Sequence, residues 1–392
     1  MPFIRWQNYG FYSLFAIRHW PVLCFLLGES ASKLIVCCKT YHFAIWCLQH
    51  LCGWRRLVLI KMCYLCSSFM KIRETDMLQF LKNWTLPVAM VAGVLGYLFF
   101  ARVPLMAPLK PLVLDVVDVL TPLLIFSQLL LTFCKIDFND LKPAGWHLWL
   151  LCFQLLACLG IAGVLLYCTM DEVYREVFEG AMVCLICPTA TAAAVITGKL
   201  GGNAASLTTY TLLSNLLAAV VVPLIFPLVE PHSGLSFWAS FLLILSKVFP
   251  LLLCPFILAV LLRRCLPSVH VWLGSVSHVA FYIWGIALAI VCGQTLRSLL
   301  NSTAPAYVEW LLALSALLAC GVQFALGKHV GSIYKERISG GQALGQKNTV
   351  LAIWMAYTYL NPLSSVAPGA YVLWQNVFNS YQLWKKRKNE GC

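Results

Sequence analysis

Charge is scarce in this sequence. Asp, Glu, Lys and Arg together make 11% of 392 residues, against about a quarter in soluble domains, while hydrophobic residues make 61%. Such a balance excludes an ordinary soluble protein. Acidic residues are the rarest charge, 15 against 28 basic ones for a net +13. That excess invites nucleic acid as a partner, but the basic residues sit in short loops and at the ends of apolar runs. They mark membrane topology, and no nucleic-acid partner is expected. Paired loop spacings of cysteine are scarce as well: most of the 18 cysteines lie inside apolar runs and read as small buried hydrophobes. A polytopic membrane enzyme, such as an acyl or isoprenoid transferase, would need a His, Asp-rich or Glu/His cluster at a membrane face. The one acidic cluster, Asp171, Glu172, Glu176 and Glu179, has no histidines beside it. No catalytic residue and no metal site are expected, and the absence of a soluble input or output domain argues against a sensor.

Long apolar runs are abundant. From residue 84 onward ten can be counted, at about 85–101, 111–133, 146–168, 178–199, 203–229, 235–262, 271–294, 306–327, 340–360 and 363–384, most of them long enough to cross a bilayer. Lys135, Lys142, Lys199, Arg263, Arg264, Lys328, Lys335, Arg337 and the tail Lys385-Lys386-Arg387-Lys388 fall in alternate connections. The positive-inside rule makes those connections and the C-terminus cytoplasmic. The expected fold is all-α and polytopic, with ten transmembrane helices in a membrane domain over 77–384 and a basic cytoplasmic tail over 385–392. The expected location is the inner membrane of a bacterium.

Residues 1–76 differ from this pattern. Cysteines and aromatics are dense there, and Arg18, Lys33, Lys39, Arg55, Arg56 and Lys61 interrupt each apolar run. We read the segment as an atypical extension or an over-extended start. Its Cys63-x-x-Cys66 pair lacks a second pair, so metal or redox chemistry is not expected of it.

Two apolar runs are broken. The first contains Cys187-Pro188-Thr189-Ala190-Thr191, and the second Gly340-Gly341 followed by Gly345-Gln346-Lys347-Asn348-Thr349. Broken helices at membrane depth survive only where protein or a water-filled cavity covers the freed backbone. Ten spans divide into two sets of five, and five being odd, the second set inserts upside down. The breaks then occupy the fourth span of each set, the arrangement by which inverted repeats build a transport site at the midplane.

These residues carry a resemblance. From about residue 78 to 384 the chain resembles the bile acid:sodium symporter family, through Cys187-Pro188 to Gly202-Asn203 and on to Pro223, through Gly345-Gln346-Lys347-Asn348-Thr349-Val350-Leu351-Ala352, and through Gln154. The resemblance implies a panel of spans 1, 2, 6 and 7 and a core of spans 3, 4, 5, 8, 9 and 10, with spans 4 and 9 crossing. It implies alternating-access transport of organic anions, usually sodium-driven, with Thr191 and Asn348 facing substrate and Thr189 as their polar neighbour. A related carrier of another solute, such as the arsenite efflux carriers, stays open as the alternative.

The sodium ligands are where the chain departs from the family. Ala193 and Ala194 fall where the family has a polar pair, Ala343 where it has a Glu, and Lys347 where it has a Gln. Gln154 and Thr211 persist, with Thr208 and Ser206 near the remaining hydroxyl position. Lys347 is expected to stand as a tethered cation on carbonyl ends that would otherwise hold sodium. Such an ammonium could also release its proton, leaving proton coupling open; no cofactor is expected, and sodium coupling of the usual kind is not. Asp115, Asp118 and Lys247 are charges within apolar runs, and an Asp118–Lys247 ion pair is expected. His278, Asn215 and Gln323 read as interhelical hydrogen-bonding residues. The expected partners are an organic anion and the bilayer; protein partners are not legible.

Overall fold

A backbone surrounded by lipid must satisfy its own hydrogen bonds, which makes helix the default for every apolar run above. The computed structural model describes residues 85–390, apart from 104–107, 137–140, 232–233 and 278. The expected extension over 1–76, with its Cys63–Cys66 pair, lies outside the described residues, as does His278. Among the described residues the protein is all-α. Among the described residues six helices are long and apolar enough to cross a membrane: α2 (Lys110–Phe133), α3 (Gly145–Tyr167), α6 (Ala204–Val229), α7 (Phe237–Cys265), α9 (Val279–Asn301) and α10 (Tyr307–Ile333). The protein is thus an integral, multi-pass membrane protein. A shorter apolar helix, α1 (Thr85–Arg102), precedes them.

The two broken runs each form a pair of short helices. The first gives α4 (Glu172–Ile186) and α5 (Ala193–Leu200); the second gives α11 (Arg337–Gly345) and α12 (Thr349–Tyr359). A 3-10 turn at Pro362–Ser365 then leads into α13 (Val366–Glu390), which carries the basic tail. One boundary differs from expectation. The run placed at 271–294 splits into an unburied helix α8 (Pro267–Ser275) and the membrane-length α9. Proline at the first position of α8 starts a new helix, and turn residues Val276 and Ser277 end it.

Helix packing separates two sets. Helices α1 and α2 pack on α9, and α7 packs on α2; α3 packs on α4 and α6, and α10 on α4, α11 and α13. The sets meet where α7 lies along α6 and where α9 touches α12. The closest approach inside the second set is the α10–α11 hairpin. A Cβ on Gly327 would strike the Gly340 carbonyl, and one on Gly340 would strike the Gly327 carbonyl. Only glycine allows the two backbones so near each other. Every residue from Ser339 to Ala356 is buried as a result. The most polar of the expected spans therefore lies at the centre of the bundle, shielded from lipid.

Candidate functional site at the crossing of two broken helices

Proline at 188 cannot donate a backbone hydrogen bond, so α4 stops at Ile186 and leaves its last carbonyls without helical partners. Side chains meet all of them. Gln323 Nε2 donates to the Cys184 carbonyl (3.2 Å), and Lys347 Nζ to that of Leu185 (3.0 Å). Gln154 Nε2 donates to Ile186 (2.6 Å) and Cys187 (3.2 Å). Tyr210 in turn donates its hydroxyl proton to Gln154 Oε1 (3.1 Å).

The second break docks on the first through two short extended segments. The Ala190 amide donates to the Gln346 carbonyl (2.9 Å), and the Asn348 amide to the Pro188 carbonyl (2.9 Å). The resulting antiparallel bridge pairs Thr189 with Lys347. Thr189 Oγ1 donates to the Ala343 carbonyl (2.5 Å), and its amide donates to Ser214 Oγ (3.1 Å). The Lys347 amide donates to Gln375 Oε1 (2.9 Å). Tyr371 donates to the Gly345 carbonyl (2.8 Å). The freed backbone of both breaks is thereby held by α3, α6, α10 and α13, as a break at membrane depth requires.

Electrostatics at this point are set by Lys347, whose side chain is fully buried. No ion pair joins it to a carboxylate among the described residues. Its countercharge is the C-terminal end of α4, where the macrodipole places about half a negative charge. On the opposite side, no side chain caps the N-terminus of α5, while Asn348 caps α12 by accepting from the Leu351 amide (3.3 Å). Thr191 is partly buried at the start of α5, and Gln128 Nε2 of α2 reaches its hydroxyl (3.4 Å).

The structure therefore brings together Thr189, Thr191, Asn348, Lys347 and Gln154. Thr208 and Thr211 lie on α6 with hydroxyls donating back to Ala204 and Leu207 (2.8 and 3.1 Å). Asp115, Asp118 and Lys247 stand apart from the crossing with exposed side chains. The expected Asp118–Lys247 pair is not formed, because the two residues point away from the packed face between α2 and α7. Sequence reasoning missed Gln128, Gln375, Tyr371 and Ser214, the side chains that close the site. Their signal was weak: single polar residues in helices of otherwise ordinary hydropathy.

The alanines that replace expected sodium ligands have a common fate. Ala193 and Ala343 are fully buried in one apolar cluster with Trp146, Leu150, Leu207, Tyr210 and Leu344, and Ala194 packs against it. Trp146 and Tyr210 stack at 5.8 Å between ring centroids.

Comparison with known proteins meets this geometry. A model of the family described as Sodium Bile acid symporter family matches residues 122–302, which include the first break and end before the second. A Bacillus subtilis (strain 168) protein described as "Uncharacterized sodium-dependent transporter YocS" is 28% identical over 220 residues. The match takes in 54% of this chain and 65% of that protein, so the chain spans less than two thirds of its relative's length. Over residues 122–302, the chain is similar to the Sodium Bile acid symporter family.

Proposed function

We propose that the protein is a secondary transporter that moves a small or amphipathic organic anion by alternating access at the crossing of the two broken helices. Coupling does not run through sodium in the usual way. The observation that carries this reading is Lys347, whose ammonium donates to the Leu185 carbonyl at 3.0 Å while fully buried. A cation is already tethered where the resemblance places a dissolved one. The positions that would supply a carboxylate and polar ligands hold Ala343 and Ala193, packed in an apolar cluster. Sodium taken out of water needs several oxygen ligands, and nothing in that cluster replaces them.

Thr191, at the uncapped start of α5, and Asn348 are assigned to the substrate, with Thr189 holding the bridge between them. Helix N-termini attract anions through free amides and dipole together. Gln128 Oε1 is buried and has no hydrogen-bond partner, which suits a substrate that also carries a donor. The ammonium either stays fixed, giving an anion exchanger or uniporter, or releases its proton within the cycle. No residue is assigned to catalysis. The distribution of basic residues supports a cytoplasmic C-terminus, and the membrane is proposed to be the inner membrane of a bacterium.

The test is uptake of radiolabelled organic anions into proteoliposomes, with sodium or choline outside. Equal initial rates in the two media support the reading, and collapse of uptake without sodium overturns it.

A further inference from the structure

A polar cavity of about 380 Å3 lies away from the crossing, at the N-terminal end of α13 and opposite the basic tail. Its volume falls within the roughly 300–1,000 Å3 of small-molecule sites. It is lined from both helix sets: Glu172 and Glu176 come from α4, Arg297 and Asn301 from the end of α9, and Thr303 and Asn361 from connecting loops.

The charges around it are of two kinds. One kind is already matched: Arg175 Nε lies 3.4 Å from Glu179 and its Nη2 3.7 Å from Glu230. Arg175 also donates to the Val229 carbonyl, and Glu179 accepts from the Asn361 amide (3.2 Å). The other kind faces the cavity unmatched. Glu176 is 7% exposed; its Oε1 accepts from Asn361 Nδ2 (2.8 Å), but its buried Oε2 has no hydrogen-bond partner. Arg297 forms no hydrogen bond or ion pair with any described residue. The cavity holds the two unmatched groups apart, and no ion pair joins them.

Leaving a buried carboxylate oxygen unpaired is costly, and a ligand that pairs it recovers that cost. A simple anion would satisfy Arg297 and face repulsion from Glu176; a simple cation would do the reverse. From this we infer a binding site for a zwitterionic solute carrying a carboxylate and an ammonium on one small skeleton, as amino acids and short peptides do. The carboxylate pairs with the Arg297 guanidinium in the two-point geometry arginine favours. The ammonium donates to Glu176 Oε2, with the exposed Glu172 adding to the attraction. The site is distinct from the crossing and does not depend on what is transported there.

Thermal unfolding of the full chain in detergent tests this with alanine and dialanine as probes, beside propionate and ethylamine as their half-molecules. The expected result is a saturable rise of several degrees with a zwitterion and none with either half. Glu176→Gln and Arg297→Gln should each abolish the rise, and Lys347→Met should keep it. A variant that unfolds without ligand is replaced by Glu176→Asp, which keeps the charge and should weaken binding rather than remove it. The inference is overturned if neither zwitterion stabilises the protein, if a half-molecule does so equally, or if both charge-removing variants respond as the parent does.

Discussion

Lys347 is the residue on which the account turns. An ammonium buried without a carboxylate is costly, and here helix-end carbonyls take the carboxylate's place. Removing the charge while keeping the bulk, in Lys347→Met, leaves the Leu185 carbonyl without its partner. The expected outcome is a fall in anion uptake of about tenfold or more, equivalent to ~1.4 kcal/mol, with a folded, monodisperse protein by size-exclusion chromatography. A Lys347→Met variant that transports as the parent does would remove the residue from the site. A second prediction concerns the apolar cluster. Ala343→Glu with Lys347→Gln introduces the two polar residues that the resemblance implies at these positions, and sodium is then expected to raise the unfolding midpoint of that variant. A midpoint indifferent to sodium in the double variant would show that these two positions do not suffice.

Elements reach this geometry through glycine and through side chains that replace missing backbone partners. Gly340 lies against the Gly327 carbonyl at the α10–α11 contact. Gly340→Ala should therefore cost about 1–3 kcal/mol, seen as a lower unfolding midpoint, whereas alanine at Gly321, which meets nothing nearby, should not. Gly201 ends α5 at φ +87°, and the Gly202 amide returns to the Thr197 carbonyl (2.8 Å), a helix stop that glycine adopts without strain. Tyr371 donates to the Gly345 carbonyl and accepts from Gln323 Nε2 (3.1 Å). Tyr371→Phe leaves the Gly345 carbonyl buried and unpaired and takes one of the two acceptors of Gln323 Nε2, and a loss of about 1–3 kcal/mol is expected in the same assay. The breaks themselves were legible, because Pro188 and the Gly340–Gly345 run contradict their apolar surroundings. Their bridging side chains were not: Gln375 and Tyr371 differ in no local pattern from residues elsewhere on α13. The absent Asp118–Lys247 pair has the same origin, since facing directions on adjacent helices follow from packing rather than from depth along a run.

At the scale of the whole molecule, burial and polarity are inverted relative to a soluble protein. The exposed faces are apolar, as with Leu156 and Val119, while the polar run from Ser339 to Thr349 is buried throughout. That inversion was readable from composition, as was the all-α class. The division of α8 from α9 was not, because a short polar-edged helix reads as part of a longer apolar run. The departure from the ligand set that the resemblance implies was readable too, but only the packing of the alanines in three dimensions gives it meaning. An empty cage would still admit a hydrated ion, whereas Ala193 and Ala343 lie packed against Trp146 and Tyr210. On the proposed reading, a tethered charge and a filled cage together make the protein indifferent to sodium even at rest. The most direct measurement is the unfolding midpoint of the purified full chain in sodium chloride and in choline chloride at equal ionic strength. The account predicts the same midpoint in both, and a saturable rise specific to sodium would contradict it.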